Sequence, residues 1–207
     1  MWDDFMNKRS HILLGLLMGF SLAVVVPGAY GQVHAIDSRN SKLIVHAYKS
    51  GLFSGFADNH EIEAPIAEGN IDESALRVSF VIESRRLKVL DPQLSPDKRR
   101  QVQERMLGPD VLDSERFPKI EFQSTRVEQA AQGSMLVTGQ LSLHGAVRPI
   151  SIRVSSNNGH FQGTSSLKQR EFGITPVSIA GGTVKVKDEL KIDFDILTDT
   201  QPNAARK

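Results

Sequence analysis

Residues 117–154, FPKIEFQSTRVEQAAQGSMLVTGQLSLHGAVRPISIRV, leave almost no room for a helix and spell three antiparallel strands joined by tight turns. Met135, Val137, Leu141 and Leu143 alternate with Leu136, Thr138, Gln140 and Ser142, while Ile150, Ile152 and Val154 alternate with Ser151, Arg153 and Ser155. A period of two over that length means strands with one buried face. Gln132-Gly133 breaks the first pair of strands, and Gly145 followed by Pro149 breaks the second; both places offer glycine where a hairpin turn needs positive φ. A meander of this kind has two open edges and one apolar face, so the rest of the chain must continue the sheet.

The flanking sequence does so. Leu43, Val45 and Ala47 alternate with Lys42, Ile44 and His46; residues 60–66 form a second strand with Ile62 and Ala64 on one face and Pro65 at an edge or bend. Leu76, Val78, Phe80 and Ile82 give a third strand. Helix is expected only over residues 97–107, with Ser95 as N-cap, Pro96 at the first helical position and Gly108-Pro109 as the stop. Its apolar stripe is only Val102 and Met106, leaving Lys98, Arg99, Arg100, Gln103, Glu104 and Arg105 to water, so it covers one end of something rather than filling a core. After the meander, Phe161, Gly163, Ser165 and Leu167 run at period two, and Leu190, Ile192, Phe194 and Ile196 alternate with Glu189, Lys191, Asp193 and Asp195. About eight strands, one helical insertion and no repeat period predict an all-β, antiparallel up-and-down barrel with a short helix around residues 96–107. A barrel of that size is filled by side chains or holds one small ligand. Small residues on the inner parity at Gly139, Gly163 and Ser165 favour the ligand.

Composition narrows the function. The 207 residues carry 25 basic and 24 acidic groups, interleaved to a net charge of +1, so no one-signed field invites nucleic acid. With no cysteine there is no disulfide and no thiolate metal site. Lys8, Arg9 and His11 precede an apolar run over residues 12–26 that ends at Pro27-Gly28, the layout of a secretory signal. Fifteen helical residues span about 22 Å, short of the roughly 30 Å bilayer core. Cleavage after Gly31, with Ala29 at −3, or after Ala35 fits the small residues there. The expected layout is a signal at 1–31, a barrel domain at 32–197 and a disordered tail at 198–207. No serine elbow, phosphate-cradling glycine loop or cysteine nucleophile is present, and the inward faces carry no ionisable residue, so no enzyme is expected.

Three local patterns then resemble one family. LDPQLSPDKRRQVQERMLGPDVLDSERFPKIEFQS at 90–124, VTGQLSLHGAVRPISIRV at 137–154 and QREFGI at 169–174 are similar to the helix-to-strand stretch, the hairpin and the Arg-x-Asp-Phe-Gly-Ile element of YceI-like proteins, with Glu171 in place of the aspartate. The resemblance covers residues 36–196. It implies a lipocalin-like, eight-stranded barrel that binds a polyisoprenoid lipid or isoprenoid quinone, without a cofactor, in the periplasm. It also implies transient membrane contact and, as in some members, a homodimer. His60 within DNHEIEAP and the charged AGGTVKVKDEL at 180–190 depart from the family pattern and bear on which ligand binds.

The residues assigned to the ligand are Leu43, Val45, Phe53, Phe56, Phe80, Ile82, Phe122, Leu141, Leu143, Phe161, Leu167, Phe172, Ile192 and Phe194, with His60 as a contact for the head group. Parity does not separate a ligand-lining residue from a core residue, so a barrel filled by its own side chains stays open. His46, His60, His144 and His160 could gather around a metal with Asp58 or Glu61, but their spacing matches no metal motif; His144 suits a turn before Gly145. Lys98-Arg99-Arg100 is either a solvated helix face or a meeting point for anionic head groups.

Overall fold

A computed structural model describes residues 33–50, 59–179, 181 and 183–199. The predicted meander is present as β7 (Lys119–Gln129), β8 (Met135–Leu143) and β9 (Ala146–Asn157). Its turns sit where glycine permits them. His144-Gly145 has φ of 51° and 76°, the paired positive values of a two-residue hairpin turn, while Gln132 and Gly133, with φ of 61° and 73°, close a longer turn at Ala131–Gly133 in which Ala130 N–H donates to Ser134 O. Pro149 does not break a strand as expected; it lies inside β9, opposite Gln140. It is tolerated because β9 pairs with β10 (His160–Lys168) only from Arg153 onward, leaving its first half an edge.

Around the meander run β1 (Val33–Ala35), β2 (Lys42–Ser50), β3 (His60–Glu63), β4 (Ile66–Asp72), β5 (Arg77–Glu83), β6 (Lys88–Val89), β11 (Ser178–Ile179) and β12 (Val184–Leu197). Three pairs of these are single strands with a bend. Pro65 bends β3 into β4, residues 84–87 bend β5 into β6, and residues 36–41 link β1 to β2. Paired registers cross each bend: Asp72 faces Arg77 at one end of the hairpin and Ile62 faces Val89 at the other. On the other flank β3 pairs with β2 while β4 pairs with β1. β12 then runs antiparallel to β2 and reaches β1 through the Ile36–Thr198 bridge. Among the described residues eight staves thereby close the ring, with β11 a short addition to β12. The sequence expectation of residues 60–66 as one strand merges the end of β3 with the start of β4, because Pro65 interrupts a ladder rather than a strand direction.

The core lies inside this ring. Ile62, Ala64, Ile66, Ile71, Ile82, Phe122, Val137, Leu141, Leu143, Val154, Phe161 and Ile196 are buried, while most of the outward residues between them are polar. Helix α1 (Pro96–Leu107) forms where predicted, with the Ser95 hydroxyl accepting from the Lys98 N–H. It covers one end of the barrel through buried Met106 and half-buried Val102. Gln103, assigned to solvent from the sequence, instead clamps the helix: its side-chain oxygen accepts from Val89 N–H and its amide donates to Leu87 O, both at 2.8 Å.

Candidate functional site

Because inner-face side chains alternate on every stave, the barrel axis is lined almost wholly by carbon. A cavity of about 500 Å³ occupies it. Of the residues assigned from the sequence, Leu43, Val45, Phe80, Ile82, Phe122, Leu141, Leu143, Phe161, Leu167, Ile192 and Phe194 line this bore together. Phe53 and Phe56 lie outside the described residues. Phe172 does not line the bore. It sits in the turn at Gln169–Phe172 beside the unpaired half of β9 and is only 1% exposed, and its carbonyl accepts from the ring of His144, whose Nδ1 is 3.2 Å away. Strand alternation does not extend into this 3₁₀ turn, so the sequence offers no face for Phe172.

Further wall residues went unassigned although they share the parity of their strands, namely Met135, Val137, Ile150, Ile152, Val154 and Ile196, while Val127 reaches the wall only because a register shift between Ser124 and Arg126 reverses the parity of β7. The glycines play a different part from the one expected. A Cβ at Gly139 would lie 2.5 Å from Cζ of Phe122, and one at Gly163 would lie 2.7 Å from Cζ of Phe194. Each glycine is therefore covered by a cross-strand phenylalanine and adds no free volume; the rings need the missing side chains in order to lie flat against the sheet. Phe122 also stacks on Phe80, with ring centroids 5.3 Å apart.

Among the described residues, ionisable groups meet the bore only at its rim. Asp72, Glu73 and Arg77 surround it at the β4–β5 turn, next to Leu76, whose φ of 50° turns it out of the strand and leaves it exposed. Hydrogen bonds from Ala75 N–H and the Ser74 hydroxyl hold the Asp72 carboxyl below its ordinary pKa. At the opposite end a cavity of about 720 Å³ lies under α1. It meets the bore at Val45, Leu87, Leu112, Leu143, Leu167 and Leu190, which face both. His60 stands in its wall. Its Nδ1 is 2.6 Å from Oδ2 of Asp91, and Asp91 Oδ1 accepts from Glu61 N–H at 2.8 Å. Asp91, 1% exposed, was not singled out from the sequence; nothing in a local pattern shows that a carboxylate in a loop will fold under a strand.

The other histidines do not converge with His60. His46 pairs with Asp193 at 3.0 Å on the outer face, His160 with Asp195 at 3.4 Å, and His144 occupies its turn against Phe117. Among the described residues no group of three or more side chains is placed to hold a metal. The run Lys98-Arg99-Arg100 also divides: Arg99 donates to Leu94 O, Arg100 pairs with Asp97, and only Lys98 faces the cavity under α1.

The model of the YceI-like domain matches residues 34–197, the whole ring of staves. The chain belongs to the YceI-like family. Relatives in this family include a UPF0312 protein of Shewanella, 24% identical over 78% of this chain and 86% of its own, and one of Vibrio parahaemolyticus, 24% identical over 90% and 97%. The crystal structure of Burkholderia cenocepacia BcnA superposes with a TM-score of 0.58 at 17% identity, covering 79% of this chain and 99% of that one. The family's barrel fold is thus this chain's fold.

Proposed function

We propose that this protein is an exported, non-enzymatic carrier whose bore holds the tail of an isoprenoid-type lipid, a polyisoprenoid or an isoprenoid quinone. The observation that carries the proposal is a bore of about 500 Å³ walled by aliphatic and aromatic side chains, with the ionisable groups among the described residues confined to its rim. At roughly 30 Å³ per water-sized group the space takes on the order of 17 heavy atoms, or about three isoprene units. Burying about fifteen carbons at ~0.8 kcal/mol each offers ~12 kcal/mol gross, against ~8 kcal/mol for micromolar binding. Ordering the tail consumes part of the difference.

The same wall speaks against hydrolase or isomerase chemistry, which needs a charged pair beside the substrate. Export through the N-terminal leader would bring the barrel to the periplasm and to lipid. Removing the leader after Gly31 keeps β1 whole, whereas removal after Ala35 would delete it. The test is displacement of a bound apolar fluorophore. A polyprenol or isoprenoid quinone should displace it at micromolar concentration with one site per chain, and a polar compound of equal size should not. A barrel that takes up neither fluorophore nor prenyl compound is filled by its own side chains and is not a carrier.

A further inference from the structure

We infer that the cavity under α1 is a head-group site that selects a phosphate-type anion, so that the lipid held in the bore is a prenyl phosphate rather than a neutral alcohol or quinone. This rests on the carrier reading above and deepens it. Lys98 and Arg105 from α1 and Lys185 from β12 line the cavity. No carboxylate among the described residues is placed within ion-pair distance of any of the three. Glu104 is the one acidic residue among the described residues of that lining, so positive charge is in excess there. His60 completes the set: Asp91 occupies its Nδ1 and leaves Nε2 as the ring nitrogen free for whatever fills the cavity.

The opposite rim has the reverse character, since Asp72 and Glu73 outnumber Arg77 there. The bore is therefore polarised, with an acidic rim at the β4–β5 turn and a basic chamber under α1. The apolar side chains shared by bore and chamber put a tail and its head on either side of one leucine-rich layer. A phosphate oxygen cluster matches ammonium, guanidinium and imidazole donors, whereas a quinone or hydroxyl offers no charge for three cations to meet.

The experiment compares farnesol with farnesyl monophosphate, equal in tail, on delipidated full-length protein and on K98Q/R105Q/K185Q. All three substitutions lie at exposed positions. At low salt the phosphate should bind about tenfold more tightly than the alcohol, a preference that fades as salt rises. The triple variant should lose the preference while keeping its affinity for farnesol. Equal affinity of the native protein for both compounds overturns the inference and leaves the carrier reading standing; binding of neither overturns the carrier reading itself. Loss of farnesol binding in the variant would make the cations structural. Native protein that sediments with anionic phosphatidylglycerol vesicles, but shows no preference between the two farnesyl compounds, would assign the cations to membrane docking and overturn the inference.

Discussion

Replacing Phe122 with alanine tests whether the bore is built as a packed wall. Phe122 is 2% exposed, stacks on Phe80 and covers the bare backbone of Gly139. Removing a buried phenylalanine ring costs ~3–5 kcal/mol when the site cannot collapse. Here neighbouring staves fix the backbone and Gly139 has no side chain to move in, so the upper part of that range applies. For a domain of this size each kcal/mol lowers Tm by about 2–4 °C, so a cost of ~4–5 kcal/mol gives a fall of roughly 8–20 °C in a calorimetric scan. Gly139→Ala alone should cost ~1–3 kcal/mol, because its Cβ would meet both the Phe122 ring and Gln123 O at 2.5 Å. In the double variant only the backbone clash remains, so the two costs should fall short of additivity by at least ~0.5 kcal/mol. A Phe122→Ala cost below ~1 kcal/mol, or strictly additive costs in urea melts, would refute the idea that rings and glycines are fitted to each other.

Other perturbations have equally definite outcomes. Asp91→Ala removes the acceptor of His60 and of Glu61 N–H and should destabilise the protein by ~3–5 kcal/mol, while Asp91→Asn, which keeps an acceptor for Glu61 N–H, should cost less; equal urea midpoints for the two would show that the charge is immaterial. Gln103→Ala strips two backbone partners from α1 and β6 and should cost ~1–3 kcal/mol, with hydrogen exchange of α1 amides accelerating before that of β8. Asp37, held low by the Asn40 amide, and Asp72, held low by Ala75 N–H, both titrate below the ordinary value of 3.8 in the folded protein. The unfolded chain binds more protons there, so their contribution is complete above about pH 4 and is lost as pH falls. Asp37→Asn with Asp72→Asn should flatten that acid limb of the stability curve and leave its neutral side in place.

Most of the barrel was legible because period-two alternation reports a buried face directly. β7, β8, β9 and β12 follow from it, and α1 follows from Ser95, Pro96 and Gly108. Alternation names a face but not a partner, so the closure of the ring through the bends at Pro65 and residues 84–87 was invisible, as was β1, only three residues long. Space inside the barrel was misjudged for the same reason. Gly139 and Gly163 read as openings until the cross-strand positions of Phe122 and Phe194 are known. Gln103 and Asp91 escaped notice because a polar residue buried by hydrogen bonds to distant backbone leaves no local pattern. Phe172 was drawn into the wrong group because aromatic identity was weighed without strand geometry.

The central claim is that the bore carries an isoprenoid-type lipid. Its most direct test is to purify the protein from its native envelope without detergent exchange, extract it with organic solvent and weigh the extract by mass spectrometry. One prenyl lipid per chain is the predicted result, and its mass also identifies the head group. An extract without prenyl lipid, still without it after incubation with isoprenoid quinones and polyprenyl phosphates, would contradict the account and leave a barrel that serves by its structure alone.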